Sequence, residues 1–226
     1  MKIGILQTGH APEMMVDALG DYDRIFTKLL NAHDLEAVAY PVVDMVFPSG
    51  AEAADGWLIT GSKHGAYEPH AWIPSLEALI RDIHARRQPL VGICFGHQII
   101  AQALGGKVEK FQGGWAVGRT EYETSAGTWA VNAWHQDQVT ELPEGAEVLG
   151  SNTFCENAIL SYGDHIWTIQ PHPEFEPEFI AGLLEHRAPG LVPDAQIAQA
   201  QAQLERPNDN GAVRKHIADF FKKAAQ

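Results

Sequence analysis

Short apolar runs alternating with stretches of helical spacing constrain the fold of this chain more than any other feature. Residues 3–6 are apolar and stop at Gln7-Thr8-Gly9-His10, residues 57–60 stop at Gly61-Ser62, and residues 90–93 follow Pro89 and lead into Cys94. Each run has the length and the bounding turn of a buried strand. Residues 35–43 are strand-like as well. Between the runs, apolar residues fall at helical spacing over 13–30 and again at Ile73, Leu76, Leu79, Ile80 and Ile83. That spacing predicts helices with one buried face. A further helix over 99–104 ends at Gly105-Gly106, the usual place for glycine at a helix C-terminus. Strand and helix in alternation imply a parallel sheet covered on both faces.

Residues 108–169 break the alternation. They are rich in β-branched and aromatic residues, with turns at Gly113-Gly114, Gly127, Pro143-Glu144-Gly145 and Gly163-Asp164, and they predict hairpins added to the sheet. Helices are expected over 177–186, 193–204 and 212–225. No internal repeat and no domain-separating linker is visible.

Composition narrows the function by exclusion. Against 16 basic residues stand 29 acidic ones, a net charge of -13, so the positive field that phosphate backbones require is missing and no nucleic-acid partner is expected. No apolar run approaches the roughly 20 residues of a bilayer span, and the N-terminus lacks the apolar core of a signal peptide. No membrane association is expected, and the location is expected to be cytoplasmic. The two cysteines, Cys94 and Cys155, are too few for a disulfide framework in a chain of this length.

Cys94 stands in Gly92-Ile93-Cys94-Phe95-Gly96, where an apolar strand meets a helix. The form G-x-nucleophile-x-G in that context is a nucleophile elbow. Its turn is so tight that side chains two residues either side of the nucleophile would collide, and glycine at 92 and 96 removes the collision. The thiol then faces the helix N-terminus, where the dipole and free N–H groups favour thiolate. A buried structural cysteine is the competing reading of the motif alone, and it is the reading given to Cys155, which has no such glycines. A cysteine nucleophile needs a histidine to handle its proton. Of 11 histidines, His172 is set apart by Pro173, which forces it into an extended conformation. Residues two apart in an extended segment share a side, so Glu174 reaches the His172 ring. The segment follows the apolar strand 165–169 and should lie at the sheet's C-terminal edge, where ligands bind in open α/β folds. A solvated proline-rich turn is the competing reading there.

The motifs Gly92-Ile93-Cys94-Phe95-Gly96-His97-Gln98 and Gln170-Pro171-His172-Pro173-Glu174 resemble those of the class I glutamine amidotransferases, over about residues 1–180. The resemblance implies a doubly wound, mostly parallel α/β sheet of flavodoxin-like type with helices on both faces. The family domain would span 1–190, with 191–226 a helical extension packed on it. It implies Cys94, His172 and Glu174 as the triad, and hydrolysis of a γ-glutamyl amide through a thioester. The backbone N–H groups of Phe95 and Ser62 would hold the oxyanion, and Gly61, Gln98, His135 and Gln136 would border the glutamyl group. No cofactor is implied. The family's oxyanion loop usually has paired glycines and a proline where this chain has Gly61-Ser62-Lys63, and many members have glycine at Gln136. The nearest branches are the glutaminase domain of GMP synthase, whose ammonia goes to a synthase, and the stand-alone γ-glutamyl peptidases. The substrate is accordingly glutamine or a small γ-glutamyl conjugate. No ATP-binding loop is visible, so an ammonia acceptor would be a separate synthase subunit. A regulatory module that kept the fold and lost the chemistry is the contrary reading, and the intact triad argues against it.

Other candidates are read as structural. His10, His33, His64, His70, His84 and His186 show no metal-like spacing with cysteine or acidic partners, so no metal site is expected. His97 is a packing residue, and His135, two residues from Asp137, is a minor alternative base. The helix from Pro193 onward is a surface or dimer-contact element, which leaves room for a homodimer.

Overall fold

The computed structural model describes residues 1–224. In chain order the elements are β1 Lys2–Leu6, α1 Glu13–Leu19, α2 Tyr22–Asn31, β2 Glu36–Tyr40, β3 Gly56–Ile59, α3 Trp72–Ala85, β4 Leu90–Ile93, α4 Phe95–Ala103 and β5 Lys107–Lys110. They continue with β6 Ala116–Thr124, β7 Gly127–His135, β8 Asp137–Glu141, β9 Ala146–Ser151, β10 Ile159–Tyr162, β11 Ile166–Ile169, α5 Pro177–His186, α6 Asp194–Gln201 and α7 Asn210–Ala224. One sheet takes nine strands in the order β2-β1-β3-β4-β11-β10-β9-β6-β7. The five strands β2-β1-β3-β4-β11 run parallel, in the doubly wound 2-1-3-4-5 order. The hairpins expected over 108–169 extend this sheet antiparallel through β10, β9, β6 and β7, while β5 and β8 pair apart.

Alternation along the parallel strands builds the two layers. Ile3, Ile5, Leu58, Val91 and Ile93 face one core with α2, α5 and α7. Leu6, Trp57, Ile59 and Leu90 face the other with α3 and α4. The side-chain period of two requires this split in a sheet covered on both faces.

Two expectations are corrected in detail. The helix expected over 13–30 is two, because Asp21 turns extended and its carboxylate caps the start of α2 by accepting from the Tyr22 N–H. The strand expected over 35–43 ends at Tyr40, since Pro41 lacks the N–H a ladder needs. The helix expected directly after the nucleophile candidate begins at Phe95 and carries the apolar run from Ile99. The expected end of the last helix at Ala225 lies outside the described residues. Among the described residues, no helix is long and apolar enough to cross a membrane.

Candidate active site

The C-terminal ends of β1, β3, β4 and β11 converge on one pocket of about 210 Å³. Cys94 is its floor. The residue has φ 54° and ψ -103°, outside the regions a side-chain-bearing residue prefers, and such strain costs on the order of 1–3 kcal/mol. The surroundings hold it there: the Cys94 N–H donates to the Ile169 carbonyl at 2.9 Å, and the Gly96 N–H donates to the Thr60 carbonyl at 3.1 Å. The elbow glycines are needed, though partly for a different contact from the one expected. A Cβ on Gly92 would lie 2.6 Å from the Gly96 carbonyl, but one on Gly96 would lie 2.3 Å from the Ile59 carbonyl oxygen. The second glycine therefore lets α4 close on β3.

His172 and Glu174 are buried beside Cys94. The His172 Nδ1 lies 2.6 Å from Glu174 Oε1, and the ring stacks on Phe175 with centroids 4.1 Å apart and planes 5° from parallel. Phe175 stacks in turn on Phe179 at 4.1 Å. The ring is fixed on its face and on one edge. Burial by itself pushes the ring towards its neutral form. The Glu174 carboxylate and the Cys94 sulfur outweigh that and hold the His172 pKa above the usual imidazole value. A buried imidazolium between a carboxylate and a sulfur can hold a thiolate, then release a proton. Cys155 is a contrast: it is buried, and burial pushes its thiol up to about 12.

The loop after β3 closes the pocket from above. A Cβ on Gly61 would stand 3.0 Å from His172 Cε1 and 3.7 Å from Cys94 Cβ, so this backbone lies directly on the pair. Thr8 braces the loop, its hydroxyl donating to the Thr60 carbonyl at 2.9 Å and lying 3.1 Å from that of Gly61. Ser62 follows on the pocket wall. Phe95 is the first residue of α4, so its N–H has no partner within the helix.

Gln98, His135 and Gln136 also line the pocket. The Gln98 amide donates to the Asp137 carbonyl at 2.9 Å and to Gln170 at 3.1 Å, so this group braces the wall at 137. The Gln136 amide donates to the Phe111 carbonyl at 3.2 Å. His135 is corrected as an alternative base. Its Nδ1 meets the Asp137 carbonyl at 3.2 Å, not the Asp137 carboxylate, and burial drives its pKa down to about 3. A ring so poor in proton affinity is a weak base at neutral pH. His97 is wholly buried against Thr168 at 2.8 Å, as a packing residue should be.

Several residues that position the site carry no sequence signal. Asn132 on β7 and Asn210 at the start of α7 both donate to the Phe175 carbonyl, at 2.9 and 2.8 Å. The Asn132 carbonyl accepts the His172 N–H at 2.7 Å. The pocket mouth carries charge of both signs, from Lys63, Lys110 and Arg187 against Glu68 and Asp137. The expectation that His64 and His70 show no metal-like spacing with acidic partners is corrected, since Glu68 lies within reach of both.

Comparison with known proteins gives the context. The family described as glutamine amidotransferase class-I matches residues 25–180. γ-Glutamyl peptidase 4 of Arabidopsis thaliana is 32% identical over 213 residues, 87% of this chain and 84% of its own length. The glutamine-hydrolysing GMP synthase of Clostridium novyi is 27% identical over 173 residues, 72% of this chain and 33% of its own length. A glutamine amidotransferase from Thermotoga maritima has the same fold, with a TM-score of 0.79 at 17% identity over 100% of this chain and 98% of that one.

Proposed function

This chain belongs to the class I glutamine amidotransferase family, and from that premise we propose that it is a cysteine hydrolase that cleaves a γ-glutamyl amide through a thioester on Cys94. The observation that carries the proposal is the strained Cys94 lying under Gly61 beside a His172 held by Glu174 at 2.6 Å.

The Cys94 thiolate attacks the γ-carbonyl carbon, and the carbonyl oxygen becomes an oxyanion. In this reading the N–H groups of Phe95 and Ser62 donate to it, where fixed dipoles stabilise charge most. The C–N bond breaks as His172 passes its proton to the leaving nitrogen. Water then loses a proton to His172 and attacks the thioester carbonyl, the C–S bond breaks to return the Cys94 thiolate beside the imidazolium, and the glutamyl carboxyl group gives up its proton to the freed amine or to solvent. Glu174 keeps the ring in the productive tautomer.

The substrate we favour is a small γ-glutamyl conjugate hydrolysed without a partner. The match to a γ-glutamyl peptidase along most of both chains supports this. So does the mixed charge at the pocket mouth, which suits the ammonium and carboxylate of a glutamyl end. The second reading is a glutaminase that supplies ammonia to a separate synthase, supported by the likeness to part of a GMP synthase. A nucleophilic thiol without a disulfide partner suits a reducing compartment, and we place the enzyme in the cytoplasm. Glutamate release from glutamine and from γ-glutamyl dipeptides decides between substrates, with Cys94→Ala as control. Release from dipeptides well above that from glutamine, and lowered at least about 10⁴-fold in Cys94→Ala, is the expected result. Release from glutamine alone would favour the ammonia donor, and release that survives in Cys94→Ala would refute the mechanism.

A further inference from the structure

At the pocket rim, the loop between β3 and α3 gathers two imidazoles and a carboxylate. The His70 Nε2 and the His64 Nδ1 lie 2.7 and 3.4 Å from the same oxygen, Glu68 Oε2. One donor atom from each of the three residues falls within 4.8 Å of the others. A tetrahedral zinc ion with ligand distances of about 2.0–2.2 Å holds its donors about 3.4 Å apart, so the cluster needs little movement to grip one. We propose that His64, Glu68 and His70 form a site for a zinc-class divalent cation at the rim of the Cys94 pocket.

The loop is built to hold these groups in place without an ion. The Glu68 N–H donates to the Gly65 carbonyl at 3.0 Å, the His70 N–H to the Glu68 carbonyl at 2.9 Å, and the Ile73 N–H to the His70 carbonyl at 3.1 Å. The His70 ring lies parallel to Trp72, with 12° between planes. A nitrogen-rich donor set with one carboxylate selects zinc, copper or nickel over magnesium or calcium. Three protein ligands leave a fourth position open, and His64 and Glu68 both line the pocket. The site is joined to the oxyanion loop, because the His64 N–H donates to the Ser62 hydroxyl at 3.2 Å. It is joined to the nucleophile's helix through Trp72, which packs on Phe95 with centroids 5.4 Å apart.

The test is calorimetric titration of the full chain with Zn²⁺ in a Cys94→Ala background, which removes the thiol as a competing ligand. One ion per chain is expected. His70→Ala and the near-isosteric Glu68→Gln should each weaken binding at least about tenfold, while His10→Ala, in a neighbouring polar cluster, should leave it unchanged. Failure of the Cys94→Ala protein to bind Zn²⁺, or equal affinity in His70→Ala and Glu68→Gln, would overturn the site.

Discussion

Gly61 shows how little room the chemistry leaves at the scale of one residue. Its missing side chain lets the loop backbone rest on the Cys94 and His172 side chains. A methyl group placed 3.0 Å from His172 Cε1 must push either the ring or the loop by a few tenths of an ångström. A displacement of about 1 Å at a reacting centre costs about a hundredfold in rate, and about half of that costs about tenfold. Gly61→Ala is therefore expected to lower kcat by at least about tenfold, with little change in thermal stability, because nothing in the hydrophobic core is lost. Steady-state kinetics beside a melting curve checks this, and an unchanged kcat would mean that the loop does not bear on the reacting pair. Cys94, His172 and Glu174 were legible as candidates in the sequence because they stand in local patterns, glycines around an elbow and a proline that puts i and i+2 on one side, whereas Gly61 was named only through the family resemblance. The rim cluster was not legible. Spacing along the chain does not reveal that a turn at Gly65 and a stacked Trp72 bring His64, Glu68 and His70 to one point.

At the scale of elements, the candidate site depends on parts distant in the chain. The His172–Glu174 segment is anchored by β7 through the Asn132 carbonyl, and Phe175 by α7 through Asn210. The Asn210 side chain is fully buried, and its loss would strip the Phe175 carbonyl of one of two donors. Leaving a buried polar group short of a partner costs about 1–3 kcal/mol. Asn210→Ala is expected to destabilise the protein by about that amount in urea unfolding and to lower kcat as the His172 segment loosens. A shift below half a kcal/mol would show that Asn132 alone suffices. The parallel core could be read in advance because each apolar run stops at a turn residue. The docking of α7 could not, since an amphipathic helix declares a buried face but not its partner. We propose on these contacts that residues 191–224 are part of the same folded unit as the site.

At the scale of the whole molecule, buried histidines tie stability to pH. Burial pushes His97 and His135 down to about 3 each, whereas the unfolded chain takes up those two protons near the ordinary imidazole value of about 6.5. Below about pH 6.5 the unfolded state holds more protons, so stability falls with acid by about 1 kcal/mol per pH unit for each ring. His172 acts in the opposite sense. Its raised pKa adds stability that is complete below the unfolded value and is lost as pH rises through the folded one. Urea midpoints should therefore drop from pH 6.5 to pH 5, and a flat profile over that range would contradict the burial of the two neutral rings. The claim that joins fold to function is the covalent intermediate on Cys94. Acid-quenching the enzyme during turnover of a γ-glutamyl dipeptide, followed by peptide mass mapping, tests it most directly. A glutamyl residue attached to the peptide bearing Cys94, and released by hydroxylamine, is the predicted result. Turnover with the adduct on another residue, or with no adduct on Cys94 even when water attack is slowed, would contradict the account.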